Sequence, residues 1–461
     1  LVLPAFVDAH AHLSHTGMGL RGVDLTGTTS VSQALRAVEH AVRRRGGRPL
    51  FVLNWQEHDW VEDRAMTAAE LDRASFGGVV YASRIDGHSA VVSSALAMMS
   101  GADRLDGWMG EGFVTRDAKN AARAAFDAAR SAAQRREDVE TALQSAATRG
   151  IAVLHECGGP LLTSAGDFAD VLELGRRPDL PRTVGYWAEA VTEPEQARAL
   201  LALHAAAGLG GDLNIDGSIG SHTARLRHDY ADDPGCRGTA YRSSADVRDH
   251  VGACALAGIQ SGFHVIGDEG MDTVLDGCEA AADLVGLEVV RASRPRLEHA
   301  EMVDAVGITR MARLGIVASV QPAFDAFWGG ADGMYESRLG RDRVPGTNPI
   351  AAFAAAGVRL AFGSDSPVTP FDPWAAVRSA VEHHQAGQRL DVATALTAHT
   401  AGGHEAAREP GGGVLRVGGP ATFAAWHTPG TDSDGLPDVR GGAPLPTCLL
   451  TVRDGTRLFA P

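Results

Sequence analysis

Strand-like and helix-like segments alternate along most of this chain, and this alternation limits its fold more than any other feature. From residue 151 onward, short apolar runs are separated by amphipathic segments with helical spacing. Such alternation is typical of a parallel sheet, and eight units predict an α/β fold of the (β/α)8 TIM-barrel type. The predicted strands are residues 3–12, 151–156, 182–187, 212–216, 259–264, 295–299, 315–320 and 358–363.

Two regions fall outside this alternation. Within a barrel region of residues 1–409, residues 13–150 are predicted to be a large insertion between the first and second barrel strands. Residues 410–461 are rich in Gly and Pro and contain short apolar runs, which predicts part of a small β-sandwich domain. Because so short a segment has a marginal core, we expect the N-terminal part of this domain to be missing from the sequence before Leu1.

Composition limits the binding partners and the cellular compartment that we expect for this protein. The formal charge of −15 argues against nucleic acid or an anionic membrane as a partner. No apolar run reaches the ~20 residues of a membrane-spanning helix, and no signal peptide is visible. The five cysteines are scattered and form no CxxC motif, so a disulfide framework is not expected. We therefore expect a cytoplasmic protein with a small-molecule substrate, and a homodimer stays open.

The first predicted strand ends in a His-x-His pair. Residues two apart on a strand point to the same face, so His10 and His12 can bind one metal ion. Barrel active sites lie at the carboxyl ends of the strands. Imidazoles and carboxylates together suit a divalent metal, and zinc is the predicted ion. The other candidate residues at strand ends are Glu156, Asn214, Asp216, His264, His299, Gln321 and Asp365.

Each candidate also has a purely structural interpretation when taken alone. His264 can be a hydrogen-bonded core residue, and His299 can cap the following helix. Asp365 lies where a helix N-cap belongs, with Pro367 in the first turn. Beside a metal at the end of the eighth strand, however, an aspartate can act as a general base on metal-bound water.

Seven motifs occur in a characteristic order: PAFVDAHAHL, DGHSAVVSSAL, DGSIGSHTARL, FHVIGD, RLEHAE, VQP and FGSDSPV. In this order the chain resembles the amidohydrolase superfamily, and within it the amidohydrolase-3 branch that includes enzymes like N-substituted formamide deformylase. The resemblance implies a metal-dependent hydrolase on a TIM barrel with a small β-sandwich. By position it implies metal ligands at His10, His12, His264, His299 and Asp365, with Asp365 also shuttling the proton.

The resemblance also implies residues that contact substrate. The segment of residues 86–89 belongs to an insertion that folds over the barrel mouth in such enzymes, so His88 is expected to contact substrate during catalysis. A helix N-cap is the alternative role for Asp86, and an Asp-Gly turn is the alternative for Asp216. The predicted substrate contacts are Asp86, Asp216, Ser218, Trp55 and Gln321.

The fourth strand departs from the pattern of the superfamily. Many members carry there a lysine that becomes carboxylated and bridges two metals, whereas the matching position here is interpreted as Asn214. The only lysine, Lys119, lies in a helical stretch. One metal ion is therefore favoured over two, with His299 polarising the substrate. In the two-ion alternative, Glu156 bridges the ions.

Three functions remain possible at this point. The predicted one is hydrolysis of a carbon–nitrogen bond in an amide, formamide or cyclic amide by metal-activated water. The first alternative is a mononuclear deaminase that releases ammonia from an aminated ring. The second is an inactive barrel with a binding role, which the complete set of histidines and Asp365 argues against.

Overall fold

The structure is a computed structural model that describes residues 1–57, 60–85, 89–433 and 435–461. Its contacts divide the chain into two compact units. The barrel unit contains Leu1–Leu13 and Leu143–Pro461, and the inserted unit contains Ser14–Ala142. The predicted domain boundaries, 1–409, 13–150 and 410–461, stay predictions.

The strands fall into three sheets. In chain order they are β1 (Val2–Pro4), β2 (Phe6–Ala11), β3 (Val23–Asp24), β4 (Leu50–Trp55), β5 (Val80–Arg84), β6 (Ala90–Val92), β7 (Phe113–Val114), β8 (Ile151–Gly158), β9 (Arg182–Trp187), β10 (Gly208–Leu209), β11 (Gln260–Val265), β12 (Arg296–His299), β13 (Val317–Val320), β14 (Arg359–Phe362), β15 (Phe423–His427), β16 (Thr447–Arg453) and β17 (Thr456–Phe459).

Helices connect most of these strands. In chain order they are α1 (Leu13–Leu20), α2 (Val31–Arg45), α3 (Ala68–Ser75), α4 (Ser94–Ser100), α5 (Arg116–Ala129), α6 (Ala132–Thr148), α7 (Ala165–Leu174), α8 (Pro194–His204), α9 (Ser244–Ala257), α10 (Asp268–Val285), α11 (Leu287–Ser293), α12 (Ala305–Leu314), α13 (Pro322–Trp328), α14 (Met334–Leu339), α15 (Ile350–Ala355), α16 (Pro373–Val381), α17 (Val392–Ala398) and α18 (Ala401–Ala406). None of the described helices combines the length and the apolar character that a bilayer span requires.

The central sheet of the barrel unit has eight parallel strands in the order β14-β13-β12-β11-β10-β9-β8-β2. The two outer strands of this order meet through the segment that follows β14. There the His12 amide donates a 2.9 Å hydrogen bond to the Ser366 carbonyl, and Ala11 bridges Ser366 in parallel register. All residues of β2 and β8 are buried, as expected for strands that helices cover. The predicted TIM-barrel fold is confirmed.

Local sequence explains where the connecting helices begin and end. Helix α9 follows a capping box in which Ser243 and Asp246 satisfy each other's backbone amides, and Gly258 ends it in the left-handed region. The Asp304 side chain caps α12 by accepting a hydrogen bond from the Gly307 amide, and Gly315 ends the helix in the left-handed region. These signals fix each turn between a helix and the next strand, and they thereby position the strand ends that carry the site.

A four-stranded antiparallel sheet in the order β1-β15-β16-β17 completes the barrel unit. Val2–Pro4 pair with β15 in this sheet, and the predicted contribution of residues preceding Leu1 stays a prediction. The sheet packs on the barrel through aromatic rings: the ring centroids of Trp426 and Phe6 lie 5.6 Å apart, and those of Trp426 and Trp374 lie 5.5 Å apart.

The inserted unit contains its own mixed sheet in the order β3-β4-β5-β6-β7. Strands β3, β4 and β5 are parallel, whereas β6 and β7 are antiparallel to their neighbours. One core cluster of this unit includes Trp55, Trp60, Leu71 and Val91. The unit therefore has the sheet and the core of a compact fold of its own.

Seven of the eight barrel strands lie close to their predicted positions, but the fourth does not. We predicted it at residues 212–216, whereas β10 contains only Gly208 and Leu209. Glycine has no side chain that favours a strand. The run Gly208-Leu209-Gly210-Gly211 therefore lacks the apolar pattern from which the other strands were predicted. Residues 212–216 follow the strand, with Asn214 forming an isolated bridge to His264.

Candidate metal centre

The His-x-His pair lies at the carboxyl end of β2, where the barrel closes. The Asp8 carboxylate accepts hydrogen bonds from the backbone amides of His10, at 3.2 Å, and Ser364, at 2.9 Å. The Asp365 amide in turn donates a 2.7 Å hydrogen bond to the His10 carbonyl. These bonds join the first strand to the segment after the eighth strand, so His10, His12 and Asp365 occupy one site.

Asp212 brings the two sides of this site together. Its carboxylate oxygens lie 3.5 Å from His10 Nε2 and 3.1 Å from His12 Nε2. The same carboxylate lies 3.6 Å from His264 Nδ1 and 3.8 Å from His299 Nε2. One carboxylate therefore faces four imidazole nitrogens.

Asp365 supplies a second carboxylate to one side of the cluster. Its Oδ1 lies 3.1 Å from His12 Nε2 and 3.5 Å from His10 Nε2. The backbone φ of Asp365 is 55°, and that of His299 is 68°. Residues other than glycine rarely adopt this left-handed region, and such strain concentrates at functional sites. Both ligand candidates are thus held in unusual conformations that aim them at one point.

The prediction that Asn214 stands at the fourth-strand position of the site was wrong. Its side-chain amide donates to the Asp216 carbonyl at 3.3 Å, whereas Asp212 lies among the histidines. The error followed from the misplaced strand, because a strand at residues 212–216 would end near Asn214. The available signal was a lone carboxylate directly after the Gly210-Gly211 pair.

The arrangement of donors fits a bound metal. His10 Nε2 and Asp212 Oδ1 are buried and have no hydrogen-bond partner of normal geometry among the described residues. Buried polar atoms are nearly always satisfied, so such orphans call for a ligand. Asp212 belongs to two overlapping groups of donors, one with His10 and His12 and the other with His264 and His299. Two groups of possible metal ligands therefore overlap at Asp212.

The electrostatics of the cluster favour added positive charge. Burial by itself would raise the pKa of Asp212, but His10 and His12 hold it well below its usual value. Burial would lower the pKa of His10, yet Cys157 and Asp212 raise it well above the usual value, and Asp212 and Asp365 do the same for His12. The carboxylates thus favour positive charge at the imidazoles, and a bound cation could supply that charge.

Neighbouring groups fix the orientation of three imidazoles. His10 Nδ1 lies 2.9 Å from Glu298 Oε2, and His299 Nδ1 lies 2.8 Å from Gln321 Oε1. His264 uses its other nitrogen, because Nε2 lies 3.3 Å from the Gly217 carbonyl. Each outer atom is an acceptor, which places the proton on the outer nitrogen and leaves the inner nitrogen free to bind.

Two of the predicted residues have structural contacts in the barrel unit. Asp216 is fully buried, and its oxygens accept hydrogen bonds from the amides of Arg225, Ile266 and Gly267 at 2.7 to 2.9 Å. Direct contact with substrate would require this arrangement to open. The Ser218 hydroxyl donates to Ser221 at 3.1 Å, in the loop that follows Asp216.

Glu156 does not belong to any of the metal-binding groups found among the described residues. Its Oε2 accepts a 2.8 Å hydrogen bond from the Leu13 amide. Burial raises the pKa of Glu156 to about 7, although His12 opposes this rise. Its assignment as a bridging ligand stays a prediction, while Asp212 occupies the place between the two donor groups.

The predicted contacts in residues 13–150 have different outcomes. Trp55 is fully buried, and its indole N–H donates to the Ala82 carbonyl at 2.9 Å. Its ring lies against Trp60 and Phe113, so the prediction of a substrate contact is replaced by a core position in the inserted unit. Asp86 and His88 lie outside the described residues.

Known sequences and structures resemble the chain over most of its length. The family model Amidohydro_3, described as the amidohydrolase family, matches residues 1–459. Protein LONG AFTER FAR-RED 3 of Arabidopsis thaliana is 28% identical over 407 residues, which cover 83% of this chain and 68% of that protein. The N-substituted formamide deformylase of Arthrobacter pascens is 24% identical over 430 residues, covering 87% and 77%.

A crystal structure of an uncharacterized metal-dependent hydrolase from Pyrococcus furiosus shares the fold. It superposes with a TM-score of 0.76 at 24% sequence identity, covering 92% of this chain and 86% of that chain.

Proposed function

We propose that this chain, which belongs to the amidohydrolase family and is thus a metal-dependent hydrolase of carbon–nitrogen bonds, hydrolyses an amide with an apolar substituent on nitrogen. This class includes formamides, amides with longer acyl groups and cyclic amides. The observation that carries the proposal is the convergence of four imidazoles on Asp212 and Asp365. The formamide deformylase relative supports the choice of amide.

We further propose that the site holds two divalent ions. His10, His12 and Asp365 would hold one ion, His264 and His299 would hold the other, and Asp212 would be shared. Zinc suits this set of imidazoles and carboxylates. A bound divalent ion supplies Lewis-acid chemistry, which polarises a carbonyl group and makes water a better nucleophile. This count replaces the single ion that the apparent lack of a fourth-strand ligand had favoured.

Asp365 is the residue proposed to move the proton. Burial would raise the pKa of its carboxyl, but His12 and His10 lower it, so the group is ionised near neutral pH. Its side chain retains 11% exposure, compared with none for His10, which leaves it accessible from the substrate side. As a carboxylate, Asp365 can accept a proton from the attacking water and pass it to the leaving nitrogen.

Three exposed apolar side chains support the apolar substituent. Leu161, Phe327 and Val368 follow β8, β13 and β14, at the carboxyl ends of barrel strands, and are 98%, 61% and 53% exposed. Apolar residues at this end of a barrel lie where substrate binds.

The deaminase alternative loses the observation that favoured it. That alternative depended on an unfilled position at the fourth strand, and Asp212 now fills the position. The inactive-barrel alternative is opposed by the donor set, in which every member faces another donor within 4 Å. A cytoplasmic location accords with five free cysteines and belongs to the same proposal.

A substrate panel tests the proposed reaction. The purified chain, loaded with Zn²⁺, would be assayed with N-benzylformamide, N-benzylacetamide, a cyclic amide and an aminated ring, with detection of released amine, formate or ammonia. We expect the wild type to hydrolyse at least one amide and so form a free amine group. The Asp365→Asn variant should hydrolyse none of the amides but should still bind metal. Ammonia release from the aminated ring alone would refute it.

A further inference from the structure

A fully buried ion pair lies inside the barrel next to the metal centre. Arg296 Nε lies 2.5 Å from Glu298 Oε1, and Arg296 Nη2 lies 3.1 Å from Glu298 Oε2. Both side chains are 0% exposed. They are two residues apart on β12, so both point into the barrel. Desolvating two charges costs as much as the pair regains, and an apolar pair of similar size is often equally stable. Stability alone therefore does not account for this pair.

The carboxylate of the pair contacts a proposed metal ligand. Glu298 Oε2 lies 2.9 Å from His10 Nδ1. A carboxylate can only accept a hydrogen bond, so His10 carries a proton on Nδ1, and Nε2, which faces Asp212 and Asp365, is the nitrogen that can bind a cation. Cys157 Sγ lies 3.5 Å from the same Nδ1, but thiols form much weaker hydrogen bonds than carboxylates.

Arg296 is itself anchored by residues of several strands. Its Nη1 donates to His155 Nδ1 at 2.8 Å, and its Nη2 donates to Ser319 Oγ at 3.0 Å and to the Ala9 carbonyl. The guanidinium lies 4.4 Å from the ring centroid of Tyr186. Strands β2, β8, β9 and β13 thus hold the guanidinium in place, and the bidentate contact fixes the plane of the Glu298 carboxylate.

We propose that Arg296 and Glu298 form a positioning pair that locks His10 in its metal-binding tautomer and strengthens it as a ligand. The inference rests on the proposed metal-dependent function and adds two residues that do not touch the ion. Outer partners of this kind typically change metal affinity by about 10- to 100-fold. A pair that served only folding would not change the affinity of a correctly folded chain.

Variants in which the charges of Arg296 and Glu298 are removed distinguish a role in metal binding from a role in folding. Glu298→Gln alone leaves the buried Arg296 charge unpaired, which is strongly destabilising. The double variant Arg296→Gln/Glu298→Gln removes both charges and retains amide donors and acceptors. Asp138→Asn is the matched control, because it neutralises a carboxylate that pairs with buried Arg130 at 2.7 Å in the inserted unit.

The measurements are the Zn²⁺ dissociation constant, obtained by competition with a chromophoric chelator, and the visible spectrum of the Co²⁺-loaded protein. The double variant should retain the wild-type circular dichroism, bind Zn²⁺ about 10- to 100-fold more weakly and show altered Co²⁺ bands. Asp138→Asn should match the wild type in both. Wild-type affinity and spectrum in a folded double variant would overturn the proposal.

A measurement on the wild type covers the case in which the double variant does not fold. In the Zn²⁺-loaded, ¹⁵N-histidine-labelled chain, the His10 imidazole should show a proton on Nδ1 and a metal-bound Nε2. A deprotonated Nδ1 would overturn the pairing. Failure of the wild type to bind Zn²⁺ at all would instead refute the proposed function, so the two failures are distinguishable.

Discussion

Replacement of Asp212 by asparagine tests the two-ion site most directly. The substitution preserves shape and removes one negative charge. The Asp212 carboxylate lies within 3.1 to 3.8 Å of all four site imidazoles, whereas Asp365 lies within 3.1 to 3.5 Å of two. Asp212 is therefore the carboxylate that contacts both halves of the donor set within 4 Å, whereas Asp365 groups with His10 and His299 at distances up to 4.8 Å.

The expected losses of metal and of activity follow from which donors each half of the site retains. Without Asp212, one half retains His10, His12 and Asp365, and the other half retains only the neutral imidazoles of His264 and His299. We expect the bound metal to fall from two ions to one. Metal polarisation of a carbonyl is worth several kcal/mol, and about 4 kcal/mol corresponds to a loss of about 10³-fold in kcat/KM.

Mass spectrometry after dialysis measures the number of bound ions, and an amide hydrolysis assay measures kcat/KM. Asn214→Ala is the control, because Asn214 is the neighbouring residue that contacts the Asp216 carbonyl rather than the histidines. The control should retain both ions. Two ions and full activity in Asp212→Asn would refute the bridging role, and loss of metal in Asn214→Ala alone would restore the original interpretation of the fourth strand.

Three further predictions concern metal, substrate and pH. Chelation by EDTA should abolish activity and lower Tm, because ions present at ~1,000 times Kd stabilise the folded chain by about 4 kcal/mol; an unchanged Tm in differential scanning calorimetry would contradict this. Phe327→Ala should raise KM about tenfold for N-benzyl amides and leave N-methyl amides unaffected, because burying a phenyl ring is worth about 1.5–3 kcal/mol; an equal effect on both in steady-state kinetics would count against apolar recognition. Burial lowers the pKa of His250 to about 4. His250 is therefore protonated below about pH 6.5 in the unfolded chain, but only below about pH 4 in the folded chain. Relative to His250→Gln, the wild type should lose about 3 kcal/mol of unfolding free energy as pH falls through this range, and parallel urea-denaturation curves across pH would disprove it.

The sequence predicted the barrel because its strands are marked by residue type. Runs such as Ile151–Glu156 and Arg182–Trp187 are apolar and bounded by turns, and both lie in observed strands. The same patterns located His10, His12 and Asp365 at strand ends. Candidate ligands at the ends of well-marked strands can thus be found from the sequence pattern, since the barrel brings all such ends to one face.

Other features were not accessible to pattern reasoning. The contact of Glu298 with His10 joins residues 288 positions apart, and spacing within one strand does not reveal it. Trp55 was predicted at the site because it belongs to the insertion of residues 13–150, which could line the barrel mouth, yet it lies on β4 and its ring is buried in a core. Burial depends on partners distant in sequence, so neither outcome follows from the local residues.

The backbone after the fourth strand explains how a residue as short as Asp212 reaches the centre of the site. A Cβ on Gly210 would lie 2.5 Å from the Gly262 Cα, and a Cβ on Gly211 would lie 3.0 Å from the Cys157 Cβ. The backbone thus approaches β11 on one side and β8 on the other more closely than residues with side chains allow, and the φ of 76° at Gly211 favours glycine. This approach carries Asp212 to within reach of all four histidines. The two glycines let the backbone cover a distance that a longer side chain would otherwise have to span, so we infer that the Gly-Gly-Asp sequence acts as one unit of the proposed metal centre.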